Sequence, residues 1–324
     1  MEKLIVVPTP HIRSKNTTDR IMARVIIALL PTLAMAVFVF GVRALTLSIV
    51  CILACMLFEV LFRRIIKKDK GIDLSPAVTG LILAFCLPVT FPFFYAIIGC
   101  FIAIVVVKQL FGGLGQNFAN PAATARIVLF LSFPVHMTTW VVPFYYTGDT
   151  DAITSATPLA IDVAAGEEFP EMLRMFFGVH GGSIGETCAL ALILGFVYLV
   201  LTKVIRPVIP VAYVTTVALG AFVAGEDVLF QILAGGLLFG AIYMATDYAT
   251  TPVSMSGKLV FGIGCGFITL AIRFFADMPE GVSFAILIMN ILTYYIDKFT
   301  TPKPFGASRE TFSAFKKKGD EKNE

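Results

Sequence analysis

The chain has 324 residues, of which 57% are hydrophobic and only 15% are charged, and its mean hydropathy is +0.87. A soluble domain needs more polar surface to cover its core, so this composition excludes an ordinary water-soluble protein and predicts one whose solvent is lipid. The net charge of +3 is small, and no compact basic segment with interleaved aromatic residues is present, which excludes the usual nucleic-acid-binding proteins.

The chain begins with a polar segment in which charges and prolines precede any long apolar stretch. That order is not the order found in a secretory signal peptide, so residues 1–20 are predicted to be a cytoplasmic tail. A membrane domain is predicted over residues 21–302, where apolar runs near the ~20 residues needed to cross a bilayer recur. Ten membrane spans are predicted, at about 21–41, 44–62, 75–90, 93–111, 121–135, 184–202, 208–224, 228–245, 258–275 and 282–299.

Two of the predicted spans, the third and the fifth, are short and carry prolines at their ends. Pro76 and Pro88 flank the third, and Pro121 and Pro134 flank the fifth. At membrane depth, a short or broken helix is tolerated only where protein or a cavity satisfies its freed backbone groups. These spans are therefore candidates for forming a binding site, with tilted or partly re-entrant helices as the alternative.

Basic residues indicate the orientation of the chain, because they are concentrated in cytoplasmic loops. With the N-terminus inside, the cytoplasmic side receives most lysines and arginines, including the run from Arg63 to Lys70 and the polar tail 303–324, which is predicted to be disordered. The predicted fold class is therefore an all-α integral membrane protein with about ten transmembrane helices and both termini cytoplasmic. Each half contains about five spans, so a 5+5 inverted repeat is possible, although no clear sequence similarity relates the halves.

The long loop at residues 136–183 is acidic and, by the same rule, extracytoplasmic. Within it, Thr157 precedes Pro158, which suits the first position of a helix, so that the threonine would be an N-cap at the positive end of the helix dipole. Backbone N–H groups at such a position can bind a phosphate without any lysine or arginine. An ordinary capped surface helix is the simpler interpretation of these residues alone.

A second segment of interest, GGLGQNFANPAA, lies between the fourth and fifth spans on the cytoplasmic side. Gly112 and Gly113 would allow the backbone to approach a flat ligand closely. Asn117 and Asn120 are three residues apart, and their amides, which both donate and accept, suit the uracil-like edge of an isoalloxazine ring. A re-entrant turn with glycines that serve packing is the alternative.

Ionisable residues near the membrane are the remaining candidates for chemistry. Asp247 follows the eighth span and is a candidate for an ion path, with a solvated loop acid or a helix cap as the alternative. Glu59, Lys108 and Arg126 lie near helix ends, where snorkelling to the interface would explain them. The six cysteines fall in apolar runs without metal-ligand spacing, so no metal site is predicted.

The outer loop also contains the pattern of a modification site. Its sequence DAITSAT, from Asp151 to Thr157, is similar to the acceptor pattern D-[GA]-x-[ST]-x-A-T of flavin transferase substrates. That resemblance implies that Thr157 carries flavin mononucleotide (FMN) through a phosphoester. It also implies that Asp151, Thr154, Ser155 and Ala156 form the signal that the transferase reads.

Segments throughout the chain resemble the NqrB/RnfD family of membrane subunits. These segments are PTPHIRSKNTTDRIM, SPAVTGLILAFCLP, GGLGQNFANPAATAR, TSATPLA, GGSIGETCAL, MATDYATTPVSMSGK and PEGVSFAILIMN. The resemblance implies a ten-helix fold, one FMN linked to threonine, and a second, non-covalent flavin (riboflavin) in the membrane. Asn117 and Asn120 match the family's asparagine pair near that second flavin. The short N-terminal tail favours the Rnf members over the B subunits of sodium-pumping NADH:quinone oxidoreductase.

These expectations describe an electron carrier that is catalytically incomplete alone, because the sequence has no dinucleotide-binding glycine motif, P-loop or iron–sulfur cysteine set. The resemblance implies a subunit of an ion-translocating oxidoreductase of the bacterial inner membrane, which relays electrons between ferredoxin and NAD coupled to movement of Na⁺ or H⁺. Its partners would be the Rnf subunits A, B, C, E and G, a flavin transferase during maturation and the lipid bilayer, but no nucleic acid. The alternatives are an NqrB-like subunit, a urea-channel-like transporter without a redox cofactor, and an assembly scaffold.

Overall fold

The structure, a computed structural model, describes residues 17–66, 73–147, 154–155, 159, 172–186, 188–276 and 281–302. Within these ranges the chain is almost entirely helical, which confirms the all-α class. The helices are α1 (Thr18–Phe40), α2 (Val42–Ile65), α3 (Ser75–Phe85), α4 (Phe93–Phe101), α5 (Pro121–Ser132), α6 (Pro134–Met137), α7 (Met172–Phe177), α8 (Ala189–Leu201), α9 (Val208–Ala224), α10 (Val228–Leu233), α11 (Leu237–Phe239), α12 (Met255–Phe275) and α13 (Val282–Thr300). The remaining elements are two π-helical segments, Ile102–Gln109 after α4 and Gly240–Met244 after α11, a 3₁₀ turn at Tyr145–Thr147, and the antiparallel strands β1 (Trp140–Val141) and β2 (Thr154–Ser155).

Four helices, α1, α2, α12 and α13, are long and apolar enough to cross a membrane. The shorter apolar helices α3, α5, α8 and α9, together with α4 and its π-helical continuation, correspond to further predicted spans. The multi-pass membrane architecture is thus confirmed. The third and fifth predicted spans are short helices in the structure, as the prolines at their ends indicate.

The predicted eighth span, 228–245, is not a single helix, because residues 234–236 separate α10 from α11. Gly235, in the middle of this break, has φ of 65°, in the left-handed region that glycine adopts without a steric penalty. Two backbone carbonyls at the end of α10 accept hydrogen bonds from the Arg273 guanidinium of α12, at 2.6 and 3.0 Å. A cation therefore satisfies the carbonyl groups that the break leaves without helical partners.

The end of α3 is closed by a segment from another part of the chain. The carbonyls of Phe85 and Leu87 accept hydrogen bonds from the backbone N–H groups of Gly185 and Ile184, at 2.7 and 3.1 Å. Residues 183–186 therefore form a re-entrant segment that reaches into the protein before α8 begins. Irregular backbone is acceptable at this depth because protein groups satisfy its polar atoms.

The two halves of the chain share an arrangement of helix contacts. In the first half, α2 packs against α3 and α4, and in the second half α9 packs in the same way against α10 and α12. The halves meet through two pairs of equivalent helices, α1 with α8 and α5 with α13. This correspondence supports a repeat of five spans that the sequence similarity alone does not reveal.

The helical bundle has two polar ends, the inner face and the outer face. At the inner face, where α1 and α3 begin, Asp19 Oδ1 accepts a hydrogen bond from Leu74 N at 3.2 Å. At the outer face, where α1 ends, Phe144 N donates to Val39 O at 2.8 Å, beside the paired strands. Most of the basic residues in the described ranges fall at the inner face, which is therefore the predicted cytoplasmic side.

Candidate functional site

A cleft opens at the inner face, between the start of the short helices α3 and α5. Its void, including the part that is open to the outside, is about 780 Å³. Helices α1, α3, α5 and α8 and the π-helical segment Gly240–Met244 contribute mostly apolar side chains to its wall. Three residues selected from the sequence, Asn117, Asn120 and Asp247, line the cleft together. The two short spans therefore border one cleft, and its use as a binding site stays a prediction.

The two glycines selected from the sequence lie beside this cleft but not in its wall, as far as the described residues form it. Gly112 and Gly113 turn the chain after Ile102–Gln109, with φ of 120° and 99°. L-residues rarely adopt these values, so the turn itself requires glycine. Contact of these two residues with a ligand stays a prediction.

Asn120 is the N-cap of α5. Its Oδ1 accepts hydrogen bonds from Ala122 N and Ala123 N, at 3.0 and 3.2 Å, and its Nδ2 donates to Met244 O at 3.0 Å. This side chain thus gives hydrogen-bond partners to two free N–H groups in the first turn of α5. It also gives one to the last carbonyl of the π-helical segment Gly240–Met244. Because its amide is already bonded to protein, its direct effect on the cleft is to hold two of its walls together.

The amide of Asn117 makes fewer hydrogen bonds to the described chain than that of Asn120. It is buried, and its Nδ2 donates to Ala119 O at 3.3 Å. Its Oδ1 has no hydrogen-bond partner within the described part of the chain, and the residue lines the cleft. Both amides of the predicted pair line the cleft, but only Asn117 has an amide oxygen without a partner in the described chain, and binding of a flavin by the pair stays a prediction.

A buried ion pair forms part of the wall of the cleft. Lys108 Nζ lies 2.7 Å from Glu59 Oε2 and donates to Ser75 Oγ at 2.6 Å, and the lysine and glutamate are 2% and 0% exposed. Arg63 also contacts Glu59 and lies 3.3 Å from Asp73. Snorkelling is therefore wrong for Glu59 and Lys108, because these charges point into the protein and neutralise each other there.

Asp247 closes the cleft on the side of the π-helical segment Gly240–Met244. Its carboxylate accepts hydrogen bonds from Ala249 N and from the Thr250 hydroxyl, both at 3.4 Å, which are long for such bonds. Burial raises the pKa of Asp247, and the two hydrogen bonds and the charge of Lys108 oppose that rise. An acid with a raised pKa at the wall of a cleft is a candidate for binding a proton or a cation.

At the outer face, the strand pair includes two residues from the middle of the pattern that resembles a flavin acceptor. Thr154 pairs with Val141, and Ser155 pairs with Trp140, which is buried. The other residues of the pattern, Asp151, Ala156 and Thr157, lie outside the described residues. The described segment therefore stops at Ser155, two residues before Thr157, and flavin attachment at Thr157 stays a prediction.

A second polar cluster lies near the outer face, where α5, α13 and the segment 183–186 meet. Arg126 donates to Ser283 Oγ at 2.7 Å and lies 3.4 Å from Glu186 Oε1, and all three side chains are buried. Snorkelling is thus wrong for Arg126 as well. Glu186 is not among the residues predicted from the sequence, although the glycines of GGSIGE indicate a close backbone approach that could have pointed to it.

Comparisons with known proteins bear on both ends of the bundle. A family model described as the NQR2, RnfD, RnfE family matches residues 5–306. The chain belongs to this family. Because the match extends over the residues of the inner cleft and of the outer loop, the two sites lie within the part of the chain that the NQR2, RnfD, RnfE family shares.

Individual members of the NQR2, RnfD, RnfE family are similar over nearly their whole length. The D subunit of the Na⁺-translocating ferredoxin:NAD⁺ oxidoreductase complex of Acetobacterium woodii is 44% identical over 311 residues, which cover 94% of this chain and 96% of the relative. The proton-translocating counterpart from Clostridium ljungdahlii is 40% identical over 320 residues, covering 93% and 96%. The D subunit of the ion-translocating oxidoreductase complex of Stutzerimonas stutzeri is 35% identical over 334 residues, covering 90% and 93%.

Proposed function

We propose that this chain is the flavin-carrying membrane subunit of an Rnf-type complex, which relays electrons between ferredoxin and NAD and couples this to translocation of Na⁺ or H⁺ across the bacterial inner membrane. The observation that carries the proposal is the similarity, over more than nine-tenths of the chain, to subunits named for that activity. The Rnf subunits A, B, C, E and G would supply the remaining redox groups and the nucleotide site. The alternatives, a quinone-reductase subunit or a channel without a cofactor, have no observation in their favour beyond the shared fold.

The first flavin of this proposal is FMN joined to Thr157 by a phosphoester, at the extracytoplasmic side. Support comes from the acceptor pattern that ends at this residue and from the strand pair that holds Thr154 and Ser155 of that pattern at the outer face. A bound flavin supplies one- and two-electron chemistry, whereas the protein determines its position and electrostatic surroundings. A flavin transferase would attach the FMN during maturation.

The test uses the full chain, expressed with a flavin transferase of this specificity. The denatured wild-type subunit should fluoresce on a gel, because a phosphoester survives denaturation. Thr157→Ala should abolish the signal, whereas Thr147→Ala, which removes another hydroxyl at the outer face, should leave it unchanged. Fluorescence that persists in Thr157→Ala would refute the attachment site, and a wild-type band without fluorescence would refute covalent flavin altogether.

The second flavin of the proposal is a non-covalent riboflavin in the inner cleft. The residues fit such a group in their chemistry: the wall of the open cleft is largely apolar, and Asn117 presents an amide oxygen. Lys108 also lines this wall, where its ammonium group is paired with Glu59. Asp247 remains the candidate for the ion path, close to the cleft.

Filling the cleft tests this second site without changing the first. Thr79 lies on the wall contributed by α3, and its hydroxyl bonds only within the helix in the described chain, to Ser75 O at 3.1 Å. Denaturation of the purified Thr79→Trp protein should release no flavin into solution. The fluorescent gel band of the covalently attached FMN should be preserved. Leu219→Trp, at an exposed position of α9, is the matched control. Unchanged release from Thr79→Trp would exclude the cleft as the riboflavin site.

A further inference from the structure

A basic pocket opens at the inner face, where the start of α1, the turn between α8 and α9 and the start of α12 meet. Its void is about 860 Å³, including the part that is open to the outside. Lys203, Arg206 and Lys258 belong to its wall, and no acidic residue is among the described residues of that wall. The pocket shares some apolar wall with the inner cleft, but its three basic residues are not among the described residues that line the cleft. It is therefore a separate feature of the same face.

The first of these residues, Lys203, has a backbone conformation that lysine rarely adopts. Lys203 N donates to Val200 O at 3.0 Å, and Val204 N donates to Leu199 O at 2.9 Å, which is the Schellman pattern at the end of a helix. The residue in the left-handed conformation of this pattern is usually glycine, but Lys203 occupies it with φ of 56°. Glycine would end α8 with less steric strain. The end of the helix therefore does not explain the lysine side chain, which lies in the wall of the basic pocket.

A contact at the start of α12 brings the other two charges to the same part of the pocket. Arg206 Nη1 lies 3.0 Å from Met255 Sδ, in the first turn of α12. Met255 and Lys258 are three residues apart in this helix, so they are neighbours on one of its faces. The Arg206 guanidinium therefore lies at the helix face that carries Lys258. Two positive charges on one wall repel each other, and an anion between them would replace that repulsion with attraction.

Carboxylates of the described chain do not neutralise these charges. Within the described ranges, none of the three basic residues forms a salt bridge, unlike the buried pairs of the inner cleft and the outer polar cluster. Asp247 lies between two residues of the pocket wall but lines the inner cleft instead. Asp297 of α13 accepts a hydrogen bond from Val253 N at 3.0 Å and is not among the residues that line the pocket. The pocket therefore presents an excess of positive charge.

The remainder of the wall is partly polar and partly apolar. Thr246 and Thr251 contribute hydroxyl groups, and Tyr248, which is 56% exposed, contributes an aromatic ring of the kind that is enriched at membrane interfaces. The apolar part of the wall consists of Ile21, Val204, Ile205 and Ile209. A soluble anion needs only the charges and the hydroxyl groups, whereas a phospholipid also uses apolar surface beside its head group. Basic pockets between transmembrane helices on the cytoplasmic side typically bind anionic lipid head groups.

We propose that Lys203, Arg206 and Lys258 bind the phosphate-bearing head group of an anionic phospholipid of the inner leaflet. The recognised chemistry is a negatively charged phosphate, which soluble phosphate also offers. The apolar part of the wall and the position of the pocket at the predicted cytoplasmic interface favour the lipid. The inference does not depend on a bound flavin, so it stands or falls separately from the proposed function.

Native mass spectrometry of the delipidated full chain measures the binding directly, because each bound lipid adds its own mass. Wild-type protein should bind one molecule of phosphatidylglycerol in preference to phosphatidylethanolamine, whose head group is zwitterionic. Arg206→Gln and Lys258→Gln should each weaken that binding about fivefold, the effect expected for one basic residue near an anionic lipid. Lys258→Arg, which keeps the charge, should retain it. Arg64→Gln, which removes an exposed charge near the end of α2 and outside the pocket wall, is the matched control and should leave it unchanged.

Lys203→Gly separates lipid binding from folding. Glycine is the usual residue at this position of a Schellman pattern, so the variant should end α8 as the wild type does. It should weaken phosphatidylglycerol binding about fivefold, as the other two variants do, without lowering the Tm of the lipid-free protein. Weaker binding in this variant therefore reports the lost charge and not a damaged fold.

Three results would overturn the inference. If wild-type protein binds the two lipids equally or binds neither, the pocket does not recognise an anionic head group. If Arg64→Gln weakens the binding as much as the pocket variants do, lipid is held by the general charge of the inner face. If inorganic phosphate displaces phosphatidylglycerol from wild-type protein, the pocket serves a soluble anion instead of a lipid.

Discussion

The ion pair at the inner cleft predicts an unequal response to removal of its two members. Glu59 is contacted by both Lys108 and Arg63, whereas Lys108 has only one carboxylate within the described residues. Lys108→Met leaves a buried glutamate that still contacts an arginine. Glu59→Gln leaves a buried lysine whose other hydrogen bond, within the described part of the chain, is to the neutral Ser75 hydroxyl. We therefore expect Glu59→Gln to be the more destabilising substitution.

The geometry gives the size of the effect. At 2.7 Å and an effective dielectric constant of about 20, the attraction between Lys108 and Glu59 is about 6 kcal/mol before the cost of desolvation. Removal of one member of a buried pair typically destabilises a protein by about 3–5 kcal/mol, because the other charge stays buried. At roughly 2 °C per kcal/mol for a chain of this size, Glu59→Gln should lower the Tm by about 10 °C and Lys108→Met by about 6 °C.

Thermal unfolding of the purified protein in detergent measures this ranking. Lys203→Met, which removes a lysine at the inner face that is outside the buried pair, is the matched control and should change the Tm by less than about 1 °C. The double variant of Glu59 and Lys108 should lose less stability than the sum of the single variants, because it leaves neither charge unpaired. Equal losses in the single variants, or additive losses in the double variant, would refute the asymmetric pairing.

Three further substitutions test other features of the two sites. Asn120→Asp keeps the cap of α5 but replaces the donor to the carbonyl of the π-helical segment with a second acceptor, so it should destabilise the protein by about 1–3 kcal/mol in thermal unfolding. The raised pKa of Asp247 makes the wild-type protein lose stability as the pH rises above about 4, and Asp247→Asn should remove that loss in melting curves measured across the pH range. Gly235→Ala should lower the Tm more than Gly225→Ala, because both have positive φ but only Gly235 has a neighbouring side chain where the Cβ would lie.

The sequence predicts the short third and fifth spans because the causes, prolines and a cap, are local. Asn120 before Pro121 is an N-cap signal in itself, and the structure has that cap. The break of the eighth span has a comparable local signal in Gly235 and Gly236, but the uninterrupted apolar character of residues 228–245 favours one span. Hydropathy indicates whether a segment lies in lipid or in water, but it does not show whether the helix of that segment is continuous. It therefore does not predict the break.

The ion pair could not be predicted in the same way. Glu59 and Lys108 are 49 residues apart, and no local pattern connects them. Lys108 lies near the end of a stretch of π-helix, Ile102–Gln109, in which the backbone bonds span five residues instead of four. A turn with an extra residue rotates the following side chains relative to an α-helix, so a periodicity of 3.6 assigns them to the wrong face. The prediction that Lys108 snorkels assumes a regular α-helix, whereas Ile102–Gln109 is π-helical.

Helix α5 relates the two ends of the molecule. Its N-cap, Asn120, lies in the wall of the inner cleft, and its Arg126 belongs to the outer polar cluster. Six residues of α-helix separate them, about 9 Å along the axis, whereas the hydrocarbon core of a bilayer is about 30 Å thick. The breaks in the third, fifth and eighth spans therefore bring two polar sites on opposite sides of the protein towards the middle of the membrane. For a subunit proposed to pass electrons between an inner and an outer flavin, this arrangement shortens the distance across the membrane.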